Sequence, residues 1–370
     1  MPDIVVIGAG VGAAIAYYAA KGGASVTLLD AGAIGQAASA NSQGAVRQQE
    51  RRGLELTLAM ESARLWATLK EEMGADVGFR QVGTLMVTDH ADRLADLEDK
   101  VRVQQAEGLP CELLDRGAIT RRFPYLRGTF IGAAWSPTDG LADPGRAIRA
   151  LVAAGERRGV AVQPEVRVTG VETAGGKVAG VRTPAGLLPA STIVIAAGPG
   201  SRALATSAGV EVPVHPVYSL SVRTPRAPLL FREYISYDGF SYSQAETGEI
   251  WLSGGLGAID LERQQTLLED QALQRQVVAG IQARLRQVIA GADGVSTTWH
   301  GVFADACAAD LSPILGKMEA LPGLYVATGF AGYGGFSLLP VVGKLMAELI
   351  LEGKPSVNLD EYSPARFQGT

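Results

Sequence analysis

The chain opens with four apolar residues, Ile4-Val5-Val6-Ile7, that run directly into Gly8-Ala9-Gly10-Val11-Gly12-Ala13. A short unbroken apolar run ended by glycine reads as a strand buried on both faces. A helix-like stretch follows to about Lys21, and Ser25-Val26-Thr27-Leu28-Leu29 makes a second strand that ends at Asp30. Strand, glycine turn, helix, strand and acid together form one βαβ unit. Further along, helical spacing predicts helices over 54–73 and 90–107, with a strand over 83–88 between them. Asp139-Gly140 predicts a turn, and Asp143-Pro144 supplies an N-cap and a first-turn proline for a helix to about Arg158. Short strands are expected near 160–162, 166–172, 178–183 and 193–197. Residues 215–256 alternate apolar positions with Tyr, Phe, Thr and Ser, which predicts a largely antiparallel sheet. A charged helix over about 262–289 follows, then a crossing at 299–303 and a loop to Gly316. A strand at 324–327 and a helix over about 339–352 close the pattern.

The first turn has a chemical reading. Gly8 permits a tight exit from the strand, and Gly10 leaves room for a pyrophosphate to reach the backbone and the helix N-terminus. The small residue that lets helix and strand pack closely is either Gly12, in a loop one residue short, or Ala13, in a G-x-G-x-x-A variant. Asp30 lies near the spacing of about 20 residues expected for an acid that accepts from a ribose 2′-hydroxyl. An acid there repels a 2′-phosphate, which favours FAD or NAD over NADP. The loop from Gly35 to Arg47 is rich in small residues and hydroxyl donors and suits close approach to a cofactor. So does Gly329-Phe330-Ala331-Gly332-Tyr333-Gly334-Gly335-Phe336, a run of free N–H groups just before the last helix, whose positive end would stabilise a ring that gains negative charge.

Composition narrows the class. With 370 residues, 47% hydrophobic and 19% charged, the chain can bury two sizeable cores and is not disordered. A net charge of −5 without a Lys/Arg tract argues against nucleic acid or an anionic membrane as partner. No apolar run reaches the ~18 residues a membrane span needs. The two cysteines, Cys111 and Cys307, form no CxxC, three histidines are too few for a His-rich metal site, and no signal-peptide pattern precedes the first strand. These features point to a cytoplasmic enzyme with no metal.

Together these segments resemble the D-amino-acid oxidase/glycine oxidase family of FAD-dependent oxidoreductases, related to sarcosine oxidases and bacterial amino-acid and opine dehydrogenases. The resemblance is carried by VVIGAGVGAA at 5–14, Asp30, ASANSQGAVRQ at 38–48, DPGRAIRAL at 143–151, TIVIAAGPGS at 192–201, DLSPILG at 310–316 and the segment 323–350. It implies an α/β fold with an α+β second domain. A Rossmann-like FAD-binding domain would be assembled from 1–80, 141–212 and 300–370. A substrate-binding domain with a mostly antiparallel sheet would span 81–140 and 213–299. Gly8, Gly10, Gly12, Ala13, Asp30 and Ala31 would hold the pyrophosphate and adenosine ribose, and Ser39, Asn41 and Gly44 would lie beside the flavin and diphosphate. Val168, in a short V-x-x-V strand, would contact adenine, and Ala197 and Gly198 would flank the dinucleotide. Gly329, Gly332, Tyr333, Gly334, Gly335 and Phe336 would cover the pyrimidine edge of the flavin, with Tyr333 where many relatives carry His.

The implied reaction is hydride transfer from the amine-bearing carbon to flavin N5, which yields an imine. The substrate would be an amine or an amino acid, whether a D-amino acid, a glycine- or sarcosine-like one or an N-substituted one, and the electron acceptor is open among oxygen, a quinone and a partner subunit. The chain departs from the family at the substrate side. Many relatives carry an arginine shortly after the equivalent of Trp299-His300-Gly301, where this chain reads Val302-Phe303-Ala304, and another after the equivalent of Pro216, where it reads Val217-Tyr218-Ser219. A buried carboxylate without a cation costs several kcal/mol. Arg47 is the first candidate to replace them, followed by Arg223 and Arg232, with Tyr242, Tyr333 and His300 as further pocket groups. Three alternatives remain open: a flavoprotein subunit of an opine- or proline-type dehydrogenase complex, an NAD-dependent dehydrogenase, and a nucleotide-binding protein without activity. Homo- or hetero-oligomers are compatible with each.

Overall fold

The computed structural model describes residues 3–36, 38–254, 266–332 and 334–367. Its centre is a six-stranded sheet in the order Ile314–Lys317, Leu324–Thr328, Thr192–Ile195, Ile4–Ile7, Val26–Leu29, Ala161–Gln163. All neighbours are parallel except the first pair. The strands Ile4–Ile7 and Val26–Leu29 are buried at every position, as strands covered on both faces require. Helices Val11–Lys21, Pro144–Glu156 and Leu339–Glu352 pack on one face. On the other lie a small antiparallel sheet of Gly170–Ala174, Lys177–Thr183 and Gly186–Pro189, and the short helix Ser201–Ser207.

Small side chains set the helix spacing. Ala13, Ala14, Ala16 and Ala19 of the first helix are buried, and a Cβ on Gly343 of the last helix would lie 2.5 Å from the Ala14 Cβ. The two backbones therefore approach closer than larger residues permit. Asp143 caps its helix as its sequence predicts, accepting from the Arg146 N–H at 2.9 Å, with Pro144 in the first turn.

A second sheet has eight strands, in the order Trp299–Ala308, Val214–Arg226, Glu249–Gly254, Phe240–Gln244, Tyr234–Tyr237, Thr84–Thr88, Gly132–Ser136, Glu112–Asp115. Its pairings are antiparallel except that of Tyr234–Tyr237 with Thr84–Thr88. One face is apolar and covered by helix Gln271–Val288, through Val277, Val278, Ile281 and Leu285. The other carries Ser219, Ser221, Ser241 and Ser253. This two-residue alternation is the pattern of an antiparallel sheet with one wet face. A three-stranded ribbon of Ala45–Val46, Gly140–Leu141 and Arg80–Gln81 joins the segments that cross between the two sheets.

Several elements differ from the sequence reading. The strand starting at Trp299 continues to Ala308, so ten residues pair along the edge of the large sheet where a short crossing and a loop were expected, and the expected boundary at residue 300 falls inside it. Its ladder with Val214–Arg226 supplies backbone partners that the sequence does not display. Val168 precedes the strand Gly170–Ala174 rather than lying within it. The charged helix is described from Gln271, capped by Asp270 through the N–H groups of Ala272 and Leu273; its expected start at Glu262 lies outside the described residues. No helix among the described residues is long and apolar enough to cross a membrane.

Replacing Gly343 by Val forces added carbon onto the Ala14 backbone. Overpacking of this kind costs about 1–3 kcal/mol, so Gly343→Val lowers Tm measurably while the far-UV spectrum keeps its shape. An unchanged Tm means that the two helices are not held by this contact.

Candidate functional site

The C-terminal ends of the parallel strands open into a cavity of about 940 Å³ that extends to the serine-bearing face of the large sheet. Open α/β sheets bind ligands at such strand ends. Gly8 exits its strand at φ 101°, and a Cβ there would lie 2.3 Å from the Ala196 carbonyl oxygen. Only glycine fits this turn. A Cβ on Gly12 would meet Val6 Cγ1 at 2.9 Å and Ala196 Cβ at 3.3 Å, while Ala13 is buried with its methyl accommodated. The close helix–sheet contact is therefore made at Gly12, and the one-residue ambiguity of the loop is settled in its favour.

The helix Val11–Lys21 starts at this turn with no side-chain cap and no acid in its first turn. An uncapped helix N-terminus facing a cavity is a seat for an anion such as a diphosphate. Beside it, Asp30 accepts from the Ala9 N–H at 2.7 Å through Oδ2 and from the Gly32 N–H at 2.8 Å through Oδ1. Each oxygen retains a lone pair for a ribose hydroxyl. Ala31, Val168, Ala197 and Gly198 line the same end. The glycines without Cβ, the free helix terminus and this acid together fit FAD.

The other end is built by the segment after the small-residue loop. The Arg47 N–H donates to Ser337 Oγ at 3.0 Å, its guanidinium pairs with Glu50 at 2.9 Å, and its Cζ lies 6.0 Å from the Tyr234 ring centroid. Burial works against the Arg47 charge, but Glu50, Tyr234 and Asp139 hold its pKa above the ordinary value. One turn on, the buried Arg51 donates to the Arg47 carbonyl at 2.9 Å and pairs with Glu55. Burial pulls the Arg51 pKa down and pushes that of Glu55 up, each against the attraction of its partner.

Asp139 holds this segment in place. Fully buried, it accepts from the backbone N–H of Gln48 at 2.8 Å and of Gln49 at 3.4 Å, and from Gln48 Nε2 at 3.0 Å. Burial pushes its carboxyl up, and these donors oppose the shift. On the facing sheet, Gln43 donates to the carbonyls of Ser241 and Trp251 at 3.0 Å and accepts from Ser241 Oγ at 2.6 Å. The cofactor-side loop is thereby tied to the substrate-side sheet.

Of the residues singled out in the sequence, Gly8, Gly10, Asp30, Ala31, Ser39, Asn41, Arg47, Val168, Ala197, Gly198, Gly332, Gly334, Gly335 and Phe336 line the one cavity. Gly12 and Ala13 lie in the helix behind it. Gly44 and Gly329 serve the backbone: a Cβ on Gly44 would lie 2.0 Å from the Ala142 carbonyl oxygen, and one on Gly329 would lie 3.1 Å from the Ala308 Cβ. Tyr333 lies outside the described residues.

Tyr242 does not reach the cavity. The strand alternation turns it into the apolar core, where burial pushes its hydroxyl pKa up, and Ser241 and Ser243 take the other face. His300 lies on the edge strand beyond the lining, which begins at Phe303. Arg223 is committed elsewhere, with its Cζ 4.2 Å from the Trp251 ring and 4.9 Å from the Trp299 ring and its guanidinium donating to Asn41 Oδ1 at 3.3 Å. Arg232 is exposed and away from the cavity. Arg51, Gln43, Asp139, Ser337 and Asp305 were not singled out. For Arg51 a signal existed: it stands four residues after Arg47 and four before Glu55, a helical spacing of like and opposite charge.

Residues 3–349 match the DAO family, described as FAD dependent oxidoreductase. The chain is 27% identical to a 4-methylaminobutanoate oxidase (formaldehyde-forming) of Paenarthrobacter nicotinovorans, over 99% of this chain and 45% of that protein. It thus spans less than half of that relative's length. It is 28% identical to a sarcosine oxidase subunit beta of an Arthrobacter species, over 99% of this chain and 91% of that one. Among solved structures, an L-amino acid deaminase from Proteus myxofaciens superposes with a TM-score of 0.89 at 20% identity, covering 99% of this chain and 94% of that one, a likeness of fold. The glycine turn, the free helix terminus and the match over nearly the whole length lead to one conclusion: the chain belongs to the DAO family of FAD-dependent oxidoreductases.

Proposed function

We propose that this protein oxidises a small amine or amino acid at the carbon that bears the nitrogen, giving an imine that water hydrolyses. The observation that carries the reading is one continuous cavity with a seat for a diphosphate at one end and a guanidinium wall at the other. FAD, when bound, supplies the hydride acceptor. Gly8, Gly10 and the N-terminus of Val11–Lys21 would hold its diphosphate, Asp30 its adenosine ribose, and the Ser39–Gly44 and Gly332–Phe336 segments would flank its ring. The names of the sarcosine and methylaminobutanoate oxidase relatives support an amine donor.

The residues of the chain bind and orient. Arg47 faces the cavity with its charge supported by neighbouring acids, so it can take a substrate carboxylate and aim the C–H bond. Asp139 is a positioning residue, because it holds the Gln48–Gln49 backbone from which Arg47 and Arg51 project. Tyr234 and Phe336 give the cavity wall aromatic surface. The relative named as a subunit supports a second reading, in which a partner chain accepts the electrons in place of oxygen or a quinone. A stoichiometric complex on co-purification distinguishes the two.

Anaerobic titration against glycine, N-methylglycine, both enantiomers of small amino acids and simple amines bleaches the flavin with a secondary amine or a small amino acid. Bleaching only by a 2-hydroxy acid sinks the amine reading. Arg47→Met raises the apparent dissociation constant of a carboxylate substrate by about 30-fold or more, the scale of a desolvated charge pair lost, while the bound substrate is still oxidised. An unchanged constant removes Arg47 from the site. Asp139→Asn sets an NH₂ group against backbone donors and lowers stability by about 1–3 kcal/mol in denaturant unfolding, with a weakened substrate complex. Wild-type stability and affinity together remove its positioning role.

A further inference from the structure

The edge strand Trp299–Ala308 brings Phe303, Ala304, Asp305 and Ala306 to the cavity wall. Asp30 and Asp305 are the two acids among the described lining residues. Asp30 takes two backbone N–H groups, whereas the carboxylate of Asp305, half-buried, has no hydrogen bond or ion pair among the described residues. Burial pushes its carboxyl up with no nearby cation opposing the shift. Of the cavity's guanidiniums, Arg47 and Arg51 are already paired, with Glu50 and Glu55, and Arg167 is exposed beside Val168. A partly desolvated carboxylate without a partner is costly until a cation arrives.

The position of this charge limits what it can meet. Asp305 pairs across the ladder with Val217, and the adjacent Ala306 carbonyl accepts the Ala331 N–H at 2.8 Å, which sets the acid beside the late glycine loop. It also stands immediately after Val302-Phe303-Ala304, the stretch where the family resemblance leads one to expect an arginine. The wall there carries an anion in place of a cation. A diphosphate, or a flavin that gains negative charge, would be repelled by it. A cationic nitrogen would be attracted.

We propose that Asp305 recognises the positively charged nitrogen of the substrate, so that the cavity selects a zwitterionic amino acid or N-alkyl amino acid, ammonium toward Asp305 and carboxylate toward Arg47. The inference rests on the amine reading above and specifies its substrate class. Charge of opposite sign on separate elements orients such a molecule as well as holding it.

The test uses the FAD-loaded protein and two probes: the amine that bleaches the flavin best in the anaerobic panel, and the ether in which oxygen replaces its nitrogen (methoxyacetate, where that amine is N-methylglycine). Affinity is read from the reductive half-reaction for the amine and from flavin spectral perturbation for the ether. The wild type prefers the amine by about 30-fold or more, on the scale of a desolvated charge contact. Asp305→Asn brings that preference close to one by weakening the amine and not the ether, with FAD content and Tm retained, and Asp305→Glu restores part of it. A preference unchanged in Asp305→Asn overturns the proposal while leaving the amine reading standing. Loss of FAD with equal weakening of both probes also overturns it, by placing Asp305 on the cofactor. A flavin that no amine perturbs overturns the amine reading itself.

Discussion

The structure depends on a helix that begins without a cap. The N-terminus of Val11–Lys21 points its free N–H groups into the cavity, and no serine, threonine or acid of the first turn satisfies them. Such a terminus is stable only when an anion arrives or water fills the space. The close approach that places it there is made by residues without Cβ: Gly8 against the Ala196 carbonyl and Gly12 against Val6. Behind it, Gly343 lies against Ala14, so the last helix of the chain braces the first. The seat for the cofactor is thus assembled from segments more than three hundred residues apart.

The large sheet contributes by having two unlike faces. Leu220, Val222, Tyr242, Ile250 and Leu252 enter the core beneath helix Gln271–Val288, and the serines between them face the cavity. A hydroxyl-lined wall solvates a small polar ligand without imposing a charge. The charges come from other elements. Arg47 and Arg51 stand on the segment held by Asp139 and are each matched by an acid one helical turn or less away. Against those paired charges, Asp305 adds a carboxylate without a side-chain partner among the described residues.

Much of this was legible in the chain itself. The apolar run before Gly8, the acid at Asp30, the Asp143-Pro144 helix start and the final helix over Leu339–Glu352 are local patterns that declare themselves within a few residues. Most of the glycines and small residues read as cofactor contacts do line one cavity. Tyr242 and His300 were less legible, because a strand pattern tells which residues alternate but not which set faces the ligand. The same uncertainty hid Asp305, whose strand was read as a short crossing and whose ladder partner, Val217, is remote in sequence.

The sequence by itself determined the class of fold, the dinucleotide end of the site and the absence of a familiar arginine, since turn chemistry and burial periodicity depend on neighbours along the chain. Only the tertiary structure decided that Gly12 makes the helix–sheet contact, that Arg51 and Asp139 belong with Arg47, and that Asp305 faces the cavity with no side-chain partner among the described residues. Those outcomes follow from strand register and from contacts between distant segments, and a one-residue change of register would turn each strand's alternate side chains to the other face.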